Sequence, residues 1–129
     1  MKEKIELILK ITLAILLIFG GVQHFIEPDN YIAFVPSFLP FTSVIIYVSG
    51  LLEILFGIAL FFKKYANIGA WGILILMLLF LPIHIWDVFS DTPAIGSHKA
   101  ALIRLSIQFL LIFIALKVKN NTKNSPKLN

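Results

Sequence analysis

The chain has no cysteine. That absence excludes a disulfide framework, thiol–disulfide exchange, iron–sulfur ligation and cysteine-held zinc. Charge is also scarce. Asp, Glu, Lys and Arg make up 14% of the 129 residues, against 59% hydrophobic. A soluble domain carries roughly a quarter charged residues, and the mean hydropathy of +0.94 points to a membrane protein. The net charge of +4 does not indicate nucleic-acid binding, because the lysines cluster at the ends of apolar runs, where membrane topology accounts for them. Also missing is an Ala-x-Ala-like cleavage site after the first apolar run. Met1-Lys2-Glu3-Lys4 and the run behind it therefore read as a retained span rather than a signal peptide. No internal repeat is evident.

What is present is four apolar runs, at about 5–25, 44–62, 68–89 and 98–116, each near the roughly 20 residues needed to cross a bilayer. They predict an all-α membrane fold, a four-helix up-down bundle within residues 1–117, with a short interfacial segment between the first two spans. Residues 118–129 read as a basic tail, disordered or lying on anionic lipid. Nine of the eleven basic residues fall at the N-terminus, in the Lys63-Lys64 turn or in the tail, so both termini are expected on the cytoplasmic side. Ile26 to Thr42 holds three prolines and no Lys or Arg. Pro28 suits the first position of a short helix reaching about Val35. Tyr31, Phe34, Phe38 and Phe41 suit an aromatic belt in the headgroup layer, capping one mouth of the bundle. Trp71 and Trp86 stand at opposite ends of the third span, as belt residues do.

Polar residues inside the runs carry the functional signal. Glu53 lies near the centre of the second span, where a bare carboxylate costs roughly 2.5–3.5 kcal/mol on insertion scales. Gly50, Glu53 and Gly57 are spaced to share one helix face, and the two glycines allow a close neighbouring backbone. In the first span His24 shares a face with Gly20 and Gly21. In the third, Pro82 frees the carbonyl of Leu78, and His84 and Asp87 follow. Arg104 and Gln108 are i, i+4 in the fourth. At about 1.5 Å per residue, Glu53 is roughly 15 Å deep and Arg104 about 8 Å. Every span thus contributes a polar group to one half of the membrane, which predicts a shared pocket beneath the Tyr31–Phe41 cap. Arginine keeps its proton and needs an anion, so Glu53 and Arg104 are expected to pair. That pair either only sets helix register or also lines a ligand site. His24 and His84 read as interfacial anchors, as hydrogen-bond partners of a ligand carbonyl, or as joint axial ligands of a haem. Asp87 reads as a solvated end residue or a partner of His84, and Gln108 as a bridge between helices.

From about Leu13 to Lys117 the chain resembles the DoxX family of small bacterial membrane proteins. The residues that carry the resemblance are Gly20-Gly21-Val22-Gln23-His24-Phe25 with Pro28, Tyr31, Pro36 and Leu39-Pro40, then Ser49-Gly50-Leu51-Leu52-Glu53-Ile54 with Gly57. Ala70-Trp71-Gly72, Phe80-Leu81-Pro82-Ile83-His84-Ile85, Arg104 and Gln108 complete the series. The resemblance implies a four-helix bundle in a bacterial inner membrane and, through some relatives, an association with thiosulfate:quinone oxidoreductase or other membrane redox assemblies. The family usually has asparagine at the position of His84, which sets the haem reading aside. The expectation is therefore a quinone- or small-lipophile-binding subunit or accessory of a redox system, with no catalytic motif of its own, no metal and no covalent cofactor. Its partners would be the bilayer, redox-complex subunits or further copies of the chain. The alternatives are a non-catalytic assembly subunit, in which Glu53–Arg104 is only structural, and a small-solute transporter, for which the chain is short unless it oligomerises.

Overall fold

A computed structural model describes residues 1–123. Its helices are α1 (Lys2–Ile26), α2 (Asp29–Ile32), α3 (Thr42–Ala59), α4 (Ala66–Phe89) and α5 (His98–Lys123). The four long ones are each long and apolar enough to cross a membrane. The chain is a multi-pass membrane protein built as a four-helix bundle.

Local chemistry sets the helix ends. Pro28 precedes α2, whose single turn runs on through i→i+3 bonds from Phe34 to the Tyr31 carbonyl and from Val35 to the Ile32 carbonyl. The helix expected through Val35 is thus only Asp29–Ile32, with turns behind it, because Pro36 disfavours helical geometry in the residue before it. Phe41, at φ 60°, turns the chain into α3. The second span closes at Ala59 rather than near Phe62, as bonds from Leu60, Phe61 and Phe62 to carbonyls three residues back tighten the end.

The helices form a ring. α1 packs mainly on α3 and α4 on α5, while α3–α4 and α1–α5 contacts close the square. α3 and α5 therefore face each other across a diagonal. The α1–α3 seam is close because its small residues admit neighbouring backbone. A Cβ added at Gly21 would stand 2.5 Å from the Gly50 carbonyl oxygen, and one at Gly57 would stand 2.8 Å from Ile18 Cγ1.

The two halves of the bundle differ. The half that holds the start of α1 and the end of α5 is an apolar core of Leu13, Ala14, Leu17, Leu60, Ala70, Ile73, Leu74, Met77, Ile114, Ala115 and Val118. α5 continues through this half, so residues 118–123, expected to be part of a disordered tail, are helical. Val118 is buried, Asn67 Nδ2 donates to Thr122 Oγ1 at 3.1 Å, and Lys119 Nζ lies 4.4 Å from the Trp71 ring centroid. The remainder of the expected tail, 124–129, lies outside the described residues. The other half of the bundle holds most of the buried polar side chains.

Candidate functional site

In that half the helices line a partly open cavity of about 280 Å³. α1 supplies Gly20 and His24, the connector Tyr31 and Phe34, α3 Ser49 and Glu53, α4 Met77, Phe80 and His84, and α5 Arg104 and Gln108. Leu16, Leu17, Ile45, Ile46, Ile83, Ile107 and Leu111 complete the wall. Six expected site residues meet here: His24, Tyr31, Glu53, His84, Arg104 and Gln108.

His24 is held at both ring nitrogens. Nδ1 lies 2.9 Å from the Ile46 carbonyl oxygen, which can only accept, so Nδ1 carries a proton. Ser49 Oγ also donates to that carbonyl at 2.9 Å and lies 3.2 Å from Nδ1. Nε2 faces Glu53 Oε1 at 3.5 Å, and both residues are buried. With Nδ1 protonated, a proton on Nε2 or on the carboxyl is what lets these two acceptor atoms face each other. The second carboxyl oxygen lies against Gly20, where an added Cβ would stand 3.1 Å from it. The Tyr31 ring tilts over His24 with centroids 4.0 Å apart. Burial pushes the Tyr31 hydroxyl above the usual tyrosine range, so it remains a donor at neutral pH.

The expected Glu53–Arg104 ion pair does not form. Among the described residues Arg104 has no carboxylate within 4.0 Å, and Glu53 pairs with His24 instead. The reason is topological. Neighbouring helix axes lie about 8–10 Å apart, and a diagonal pair such as α3 and α5 lies about 13 Å apart, so the cavity separates the two charges. The Arg104 guanidinium lies over the Phe34 ring, 3.9 Å from its centroid. Phe34 is therefore a cavity residue as well as an aromatic of the connector. Phe38 and Phe41 are largely exposed and take no part in covering the cavity.

Gln108 bridges helices as expected, donating from Nε2 to the Met77 carbonyl at 2.7 Å. His84 is buried on the wall, and among the described residues its Nδ1 has no partner. Asp87 is neither solvated nor paired with His84. Its Oδ1 accepts from the Ala94 amide at 2.5 Å and its Oδ2 from the Ile95 amide at 3.4 Å, pinning the α4–α5 loop outside the cavity. Gly50 and Gly57 are seam residues and do not line the cavity. Ser49 is a cavity residue that sequence reasoning passed over. Its position one turn before Glu53, on the same face, was the available signal.

Residues 13–119 match a family described as a domain of unknown function, DUF8561. The chain belongs to this family. Nothing matches among curated proteins or among solved structures.

Proposed function

We propose that the protein binds one small amphipathic molecule in this cavity. A quinone is the first candidate, and the protein serves as a subunit or accessory of a redox system in a bacterial plasma membrane, with both termini in the cytoplasm. One observation carries the reading: a cavity of about 280 Å³ between the four apolar helices has mostly apolar walls, and a buried imidazole nitrogen of one lining residue, His84 Nδ1, has no partner among the described residues. Buried polar atoms are almost always bonded, so one left without a protein partner on a residue that lines a cavity supports a ligand there. The volume is near the lower end of ligand sites, roughly 300–1,000 Å³, and suits a single ring or a short chain. In this reading Arg104 and His84, from α5 and α4, bond one polar end of the ligand, and His24 and Glu53, from α1 and α3, line the wall of the other two helices. The resemblance to DoxX proteins supports the quinone and redox parts of the proposal.

The test is titration of a short-chain quinone analogue into the full chain in lipid nanodiscs. Saturable binding is expected, weakened about tenfold or more by Arg104→Ala. Absence of saturable binding, or equal affinity in the variant, removes the proposal.

A further inference from the structure

The cavity's charge narrows the ligand class. Arginine keeps its proton in proteins, and a cation at membrane depth needs an anion, a ring of acceptors or water. The Arg104 guanidinium has the face of Phe34 on one side and no carboxylate within 4.0 Å among the described residues. The acids nearby are committed elsewhere. Asp87 gives both oxygens to the amides of Ala94 and Ile95. Glu27 accepts from Asn30 Nδ2 on the surface. Glu53 faces His24 Nε2. Because His24 Nδ1 is protonated by its bond to Ile46, the one proton shared between Nε2 and Glu53 leaves that pair neutral in sum, whichever atom holds it. The cavity wall is left with the single positive charge of Arg104, and the Asp87 anion, held by the loop amides outside that wall, acts on it only from a distance.

His84 adds a second donor beside it. α4 and α5 run antiparallel, and the bond from Gln108 to Met77 sets their register. By that register residue 81 stands beside residue 104, so His84 lies about one turn from Arg104, toward the α4–α5 loop. His84 lines the cavity and is 6% exposed, and among the described residues its Nδ1 has no partner. A guanidinium and an imidazole N–H one turn apart form a seat for one oxygen head. Next to them the wall is apolar, with Phe80, Ile83, Ile107 and Leu111.

We infer that the occupant is a monoanion: an apolar body ending in one acidic oxygen head, bound between Arg104 and His84. The inference rests on the ligand-binding reading above and adds the charge. Two kinds of molecule share this chemistry, an acidic hydroxyquinone and a single-chain carboxylate. A phosphate head with two charges would exceed the one cation available.

The experiment uses two pairs of probes, each an acid and its neutral methyl derivative: a hydroxynaphthoquinone with its methyl ether, and decanoate with methyl decanoate. Saturable binding is measured to the full chain in nanodiscs of phosphatidylcholine, which supplies no net anionic lipid. The acid of at least one pair is expected to bind about tenfold or more tighter than its neutral partner. Arg104→Gln should bring that ratio close to one, Arg104→Lys should keep most of it, and His84→Leu should lower acid affinity severalfold with little change for the neutral partner. The pair that shows the preference identifies the body. Equal binding of acid and neutral probe in the wild type overturns the inference and leaves the cavity reading standing, as does a preference that survives Arg104→Gln. If none of the four probes binds, the cavity reading itself fails. Should Arg104→Gln not fold, the wild-type ratios and Arg104→Lys decide.

Discussion

His24 Nε2 faces Glu53 Oε1 at 3.5 Å across the α1–α3 seam, and the opposite nitrogen of the same ring is fixed by the Ile46 carbonyl. One imidazole therefore joins the membrane-buried acid to the backbone of its own helix. This arrangement explains how a carboxyl is tolerated at membrane depth, where an unpaired charge is costly. It requires a proton donor between the two side chains more than it requires a negative charge.

Glu53→Gln should accordingly be mild. The amide N–H can donate to Nε2, and the expected loss of stability is within about 1 kcal/mol, as for a single hydrogen bond exchanged for another. His24→Leu leaves the acid without its partner and should cost about 3 kcal/mol, the order seen when one member of a buried pair is removed. Thermal unfolding in detergent compares the two variants. Equal damage from both would show that the charge of Glu53, rather than a shared proton, holds the seam.

Gly50 and Gly57 separate packing from binding. A Cβ at Gly50 would stand 2.5 Å from His24 Cβ, and one at Gly57 would meet Ile18 Cγ1 and the Ala14 carbonyl, away from the cavity. Each alanine substitution should cost about 1–3 kcal/mol by overpacking. Only Gly50→Ala displaces His24, so only Gly50→Ala should also weaken ligand binding. Paired melting and binding curves check the split, and a matching loss of affinity in Gly57→Ala would contradict it.

These residues also show what the sequence could reveal. The apolar runs disclosed four crossings, and the spacing of Gly50, Glu53 and Gly57 disclosed a shared face, because helical periodicity is local. The shared face of Arg104 and Gln108 was legible for the same reason. The partner of Arg104 was not, since adjacency in a four-helix ring depends on how helices close around one another, and α5 closes diagonally from α3. The end of α5 was misread because Lys117, Lys119, Asn120 and Asn121 resemble a solvated tail. Contacts from distant residues, Asn67 to Thr122 and Trp71 to Lys119, hold that end as helix.

Asp87 serves the α4–α5 loop rather than the ligand. Asp87→Ala removes the acceptor of the Ala94 and Ile95 amides and should cost about 1 kcal/mol, the order of a hydrogen bond lost where water can take its place. Hydrogen exchange at those two amides should accelerate while affinity for a neutral ligand stays the same. Slow exchange in the variant would mean that the loop is held by other contacts.

The connector's tie to α5 is the Phe34 ring against Arg104, and it depends on the face of an aromatic ring. Phe34→Leu preserves most of the apolar bulk but removes the negative ring face beneath the guanidinium, a contact worth about 2 kcal/mol when shielded from water. Phe34→Tyr retains that face. The leucine variant should therefore melt earlier and exchange amide hydrogens faster across residues 33–41, and the tyrosine variant should resemble the wild type in both measurements. If leucine behaves as phenylalanine does, Phe34 serves only as apolar cover, and the connector is held by the Tyr31–His24 contact and the packing of α2 on α3.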